Sequence, residues 1–259
     1  MNKLSNKEIW EARSSEHKSG IEGVLFKRFS PALNNHLHNF HSRSILENIP
    51  DNPVIKILDV GCGYGRNTLT ILKKNKDQQV EGMDISKTFT ELYRSNTGKP
   101  AFAGSLEDFP ENMGTYDYLM CVTVLMYVPG NKMEIAVKNM ASHVKKGGKL
   151  ILIEPHVTGS MFLSAFGLLN IFGGKNENSN ERCFTSRELK AALSGVYGSI
   201  IKEKRIPVTT ILILPLYTLS LILPNSGMVF LLKIVNKFDV LLEDMRLPSL
   251  YTGLSVQLP

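Results

Sequence analysis

Ile57-Leu58-Asp59-Val60-Gly61-Cys62-Gly63-Tyr64-Gly65-Arg66-Asn67-Thr68 is the stretch that decides how this chain is read. An apolar strand ends in an acid, a glycine-rich turn follows, and a helix opens beyond it. Glycines let the backbone approach a ligand closely and adopt φ > 0, and a helix N-terminus offers free N–H groups. The combination suits a nucleotide-like ligand, with a purely structural turn still open. The spacing narrows the choice. A dinucleotide loop wants G-x-G-x-x-G, whose third glycine packs the helix beside a pyrophosphate. Here Gly61 and Gly63 are followed by Gly65, and Arg66 stands where that third glycine belongs. The Gly-Lys-Ser/Thr of a phosphate loop is missing from the sequence.

Working outward, strands and helices alternate. Val54–Val60 reads as a strand and is followed by a helix through Lys74; Gln79–Asp84 is a second strand and Ser86–Ser95 a second helix. Ala101–Ala103 and Tyr116–Val122 are further strands, Met133–Val144 a helix and Lys149–Glu154 a fifth strand, entered through the turn Lys145-Lys146-Gly147-Gly148. Helices between continuously apolar strands predict a parallel sheet covered on both faces. Asp84 ends its strand about twenty residues beyond the glycine loop, where a carboxylate can accept both hydroxyls of a ribose. Read alone, the same aspartate would be a helix N-cap.

The pattern Asp59-x-Gly61-x-Gly63-x-Gly65 resembles motif I of class I methyltransferases that use S-adenosylmethionine (SAM). Tyr116 to Val128 resembles that family's strand-four segment, with Tyr127 where histidine is common. Lys146-Gly147-Gly148-Lys149-Leu150 resembles its proline–glycine turn without the proline. Gly104 to Pro110 resembles the loop that edges the adenine, with Ser105 where aspartate is usual. Ile153-Glu154-Pro155 and Phe184 to Leu193 also match, so the resemblance spans roughly residues 54–205. It implies a Rossmann-like, doubly wound α/β fold with a mostly parallel seven-stranded sheet, completed by strands near Gly198–Arg205 and Tyr251–Leu258. It implies SAM as cofactor, held by Asp59, Gly61, Cys62, Gly63, Gly65, Asp84, Ile85, Ser105, Leu106 and Cys121. The expected activity is methyl transfer to a small molecule, most readily at oxygen. A SAM enzyme of another reaction type, or a non-catalytic SAM-binding partner, is the alternative.

Ligands of parallel sheets bind beyond the carboxyl ends of the strands. His156, directly after strand five, is therefore the candidate general base, and Tyr127 the candidate contact to substrate or methionine tail. Cys62, Cys121 and Cys183 are too widely spaced for a disulfide framework or zinc cluster. His36, His38 and His41 do not share one helical face, so no metal site is expected.

The 259 residues carry a net charge of +6, with 43% hydrophobic and 21% charged residues, which excludes disorder as a class. The lysines lie in short scattered clusters and the strand-four end lacks Asn/Asp-Pro-Pro-Tyr/Phe, so no nucleic-acid partner is expected. Residues 1–12 lack an apolar signal segment; the expected compartment is the cytoplasm, with the inner membrane face as the alternative.

The chain divides into a helical N-terminal cap (1–50), the SAM-binding core (51–205), a hydrophobic insertion (206–247) and a last core strand (248–259). Between Ile206 and Leu232 there is no charge, and Pro207, Pro215 and Pro224 interrupt the run. Both flanks return to one sheet, so a single membrane crossing is ruled out, and two would need about forty residues. A hairpin or helical lid remains. It covers an apolar acceptor pocket, dips into a membrane interface between Lys202, Lys204, Arg205 and Lys233, Lys237, or packs on a second subunit.

Overall fold

The computed structural model describes residues 5–26, 29–51, 53–111, 113–165, 182–194 and 199–259. The Gly- and Asn-rich segment from Gly173 to Asn180, which reads as a loop, and the basic pair Lys27-Arg28 lie outside the described residues. Seven strands form one sheet: β1 Lys56–Val60, β2 Gln79–Asp84, β3 Ala101–Ala103, β4 Tyr116–Val122, β5 Val144–Pro155, β6 Ile200–Arg205 and β7 Tyr251–Gln257. Their order is β3-β2-β1-β4-β5-β7-β6, with β7 antiparallel to both neighbours. The order reverses between β1 and β4, which opens a crevice at their carboxyl ends.

Strand β5 starts five residues before the expected Lys149. Val144 pairs with Tyr116 and the register then shifts, so Lys145 to Gly148 is an irregular part of the strand, with Gly147 at φ 71°.

Side chains of alternate strand residues divide the core. Ile57, Met120, Val122, Ile151 and Ile153 face one layer, while Leu58, Val60, Leu119, Leu150 and Leu152 face the other. Helix α2 (Pro31–Leu46) covers the first layer and α5 (Met133–Ser142) and α7 (Ser186–Ser194) the second. Between them in sequence lie α3 (Arg66–Lys74), α4 (Lys87–Thr97) and α6 (Val157–Ala165). Local caps fix where helices start. Ser5 and Glu8 form a reciprocal capping box on α1 (Asn6–His17), and Thr185 and Glu188 do the same ahead of α7.

The insertion folds as three helices, α8 Pro207–Ile211, α9 Ile213–Ile222 and α10 Asn225–Leu242. Its prolines sit at or near helix starts, where the missing N–H costs nothing. Pro207 opens α8, Pro215 falls in the first turn of α9, and Pro224 precedes α10. The hairpin packs on α2 through Ile213, Leu216, Met228, Leu232 and Val235. A buried network anchors it. Asp239 accepts from the N–H groups of Val208 (2.8 Å) and Thr209 (3.1 Å) and from the Thr209 hydroxyl. His36 of α2 closes the network on the same hydroxyl, 2.6 Å away.

Candidate active site

The glycine loop is tied to the end of β2 by its own backbone. Gly61 and Cys62 donate to Met83 O at 2.7 and 3.0 Å, and Gly63 N donates to Asp84 Oδ2 at 2.9 Å. Gly61 has φ 67°, and a Cβ there would lie 2.2 Å from Val124 Cγ2, so only glycine fits. Ser86 N donates to Asp84 Oδ1 at 2.9 Å. Each Asp84 oxygen thus keeps one acceptor position. Burial pushes this carboxyl up to about 6, against those two amide bonds.

Above these groups opens a cavity of about 640 Å³ at the carboxyl ends of β1, β2 and β4. Of the residues singled out from sequence, Gly61, Cys62, Gly63, Asp84, Ile85, Ser105, Leu106 and Tyr127 line it. A smaller cavity of about 120 Å³ adjoins it, lined by His156 together with Leu25, Phe26, Leu163, Leu250 and Tyr251. Val24, Thr123 and Tyr127 belong to both walls.

Three expected cofactor residues stand behind the wall of the large cavity instead. Asp59 is fully buried, accepts from the Thr68 hydroxyl at 2.9 Å and is pushed up to about 7 by burial. It braces α3 from beneath the loop. Gly65, at φ 94°, is a packing glycine: a Cβ would lie 2.5 Å from Thr97 Cγ2. Cys121 is fully buried in the α5 layer of the core.

His156, the candidate base, lies in the wall of the smaller cavity. Burial holds its ring down at about 4, so it is neutral at pH 7. Its Nδ1 lies 2.7 Å from the Thr158 hydroxyl and 3.2 Å from Thr158 N, which fixes the ring in that wall.

Several lining residues escaped the sequence reading. Helix α1 lays Asn6, Lys7 and Trp10 along the large cavity, and the Trp10 ring meets Tyr127 edge-on at 5.1 Å. Trp10, the chain's one tryptophan, was the available signal. Arg66 also lines this cavity while buried; its Nη1 donates to Nδ1 of His38 and of His41. Burial and the nearby guanidinium hold both rings below the usual histidine range, so they serve Arg66 as neutral acceptors. Glu154 is fully buried and accepts from Val124 N, Leu125 N and Met126 N at 3.1, 2.9 and 3.2 Å. Burial nevertheless pushes it up to about 8. It clamps the loop that carries Tyr127.

No residue of 206–247 lines either cavity; the hairpin lies on α2.

Comparison with known proteins agrees with this geometry. Residues 57–148 match the family model "Methyltransferase domain". An uncharacterized methyltransferase of Emericella nidulans is 26% identical over 147 residues, 49% of this chain and 50% of that protein. A human tRNA N(3)-cytidine methyltransferase is 32% identical over 108 residues, 38% of this chain and 29% of that protein. This chain thus spans half or less of these curated relatives' lengths. Among solved structures, magnesium protoporphyrin IX methyltransferase of Synechocystis PCC 6803, crystallised with S-adenosylhomocysteine (SAH), superposes with a TM-score of 0.64 at 14% identity, covering 98% of both chains. Residues 57–148 thus carry a methyltransferase domain, and the chain has the Rossmann-like α/β fold of SAM-dependent methyltransferases.

The residues present fit SAM. A carboxylate with spare acceptor positions (Asp84), a glycine cradle closed by Val124, apolar walls at Ile85 and Leu106, and a buried cation at Arg66 meet its ribose, backbone-hugging tail, adenine and carboxylate in kind.

Proposed function

We propose that the chain transfers the methyl group of SAM to a small-molecule acceptor, hydrophobic or lipid-linked, at an oxygen atom. The observation that carries this reading is the junction of the two cavities at Val24, Thr123 and Tyr127. One compartment suits an adenosyl group, and the apolar recess beside it suits an acceptor. When bound, SAM supplies a methyl group already activated by a sulfonium leaving group. What remains for the protein is alignment and exclusion of water.

On this reading Asp84 holds the ribose, Ile85 and Leu106 flank the adenine, and Ser105 contacts its edge. The backbone of Gly61, Cys62 and Gly63 follows the amino-acid tail, and Arg66 pairs with its carboxylate. Tyr127 stands between donor and acceptor. His156, neutral at pH 7 and in the wall of the recess, stands to hydrogen-bond the acceptor oxygen.

One relative acts on tRNA by its name, so similarity alone leaves a nucleic acid open. The surface supports a small molecule. Lys202 and Lys204 pair with Glu47 and Glu243, and Arg205 pairs with Glu203, which leaves that cluster little net field for a polyanion. Incubation with cell extract and methyl-labelled SAM tests the reading. Label should enter a solvent-extractable small molecule with formation of SAH. Label found in RNA would refute the acceptor class, and no SAH with any extract would refute transfer itself.

A further inference from the structure

From Ile206 to Leu242 the only charged residues are Lys233, Lys237 and Asp239. Asp239 is fully buried, so the two exposed lysines are all the charge this hairpin shows to water. Its apolar residues are the surplus. Thirteen exposed large hydrophobic residues lie between Ile211 and Met245, against five in the rest of the described residues. On α10, Phe230, Ile234, Phe238 and Leu241 recur at helical spacing as one stripe, with Phe230 68% and Leu241 74% exposed. The C-terminal end of α9 adds Leu221 and Ile222, 67% and 79% exposed. Scattered apolar residues on a surface are ordinary; a continuous stripe ending in an apolar tip marks a docking face.

Charge chooses the occupant. Lys233 and Lys237 lie beside the stripe with no ion pair among the described residues. Two copies paired antiparallel about the middle of α10 would bring these lysines against their own kind, a repulsive arrangement. An anionic headgroup layer attracts each lysine instead and accepts the stripe beneath it. No helix among the described residues is long and apolar enough to cross a membrane, so the contact is interfacial. A row of aromatics leads inward from this face. Tyr217 of α9 meets Phe29 at 5.9 Å, and Phe29 meets Phe26 of the smaller cavity's wall at 4.9 Å.

We propose that the α9–α10 hairpin docks on an anionic phospholipid bilayer, inserting Leu221, Ile222 and the Phe230–Leu241 stripe between headgroups held by Lys233 and Lys237. If the methyl-transfer reading holds, the acceptor is a molecule dissolved in that bilayer and reaches the recess along Phe26.

The test uses the full chain and phosphatidylcholine vesicles with and without phosphatidylglycerol, in a flotation assay lacking SAM. The chain should float with phosphatidylglycerol vesicles and be released by high salt. The F230S/L241S and K233Q/K237Q variants should each lower the partition coefficient by about 10-fold or more. Thermal unfolding with SAH verifies that the variants remain folded and reports separately on the methyl-donor site. The proposal is overturned if the chain floats with neither vesicle, or if it sediments as a dimer that the same substitutions split.

Discussion

The carboxyl end of the sheet and the 206–242 hairpin handle polar groups in opposite ways. At the sheet end three carboxylates are drawn inside, and burial pushes Asp59, Asp84 and Glu154 up to about 7, 6 and 8. Each carries backbone or hydroxyl donors, and Asp84 keeps acceptor capacity facing the cavity. In the hairpin the one buried acid, Asp239, spends its oxygens on Val208 and Thr209, and the apolar surplus points outward. A binding site is marked by polar capacity left over in an enclosed place. A docking face is marked by apolar area left over in an open one.

If that contrast is right, the two regions respond independently. The largest effect falls on the loop. Gly61→Ala adds a Cβ 2.2 Å from Val124 at φ 67° and should cost about 2–4 kcal/mol in urea unfolding, with SAH no longer raising Tm. An alanine variant that binds SAH normally would mean the cradle is looser than described. Asp239→Leu strands the Val208 and Thr209 donors and should cost about 2–3 kcal/mol, measured the same way. Its SAH affinity should stay at the wild-type value; a tenfold change would join the two regions.

A smaller effect follows from pH. Asp84 has a raised pKa of about 6 and accepts hydrogen bonds best as the carboxylate, so protonation on acidification weakens ribose binding. From about pH 7.5 to about 5.5, SAH affinity should fall about four-fold by calorimetry. A rise or a flat profile would remove Asp84 from the site. Smallest of all, Phe230→Ser should change folding stability by less than about 0.5 kcal/mol, since its ring is already in water. A larger loss would show that the stripe is internal packing.

The sheet was legible because its signals are local. Gln79–Asp84, Ala101–Ala103 and Tyr116–Val122 are the strands the apolar runs predicted, and the loop at Gly61 to Gly65 sits where its spacing put it. Asp59 and Cys121 lie behind the cavity wall, and a strand buried on both faces gives no clue to which side chains look into the crevice. His156 follows β5 directly, but its contacts with Thr158 are ones that spacing cannot reveal. Trp10, Arg66 and Glu154 needed the tertiary fold: α1 crosses the mouth from far away in sequence, and the Glu154 socket joins the end of β5 to the loop after β4. The hairpin was visible as an uncharged run. Where it packs was not, since its partner α2 lies some 170 residues earlier.

The most direct measurement is a calorimetric titration of the purified chain with SAH, NAD and ATP in parallel. A single SAH site, weakened by about 1–3 kcal/mol in Asp84→Ala, with no heat from NAD or ATP, is the expected result. Saturable binding of NAD or ATP with none of SAH would contradict the account at its root.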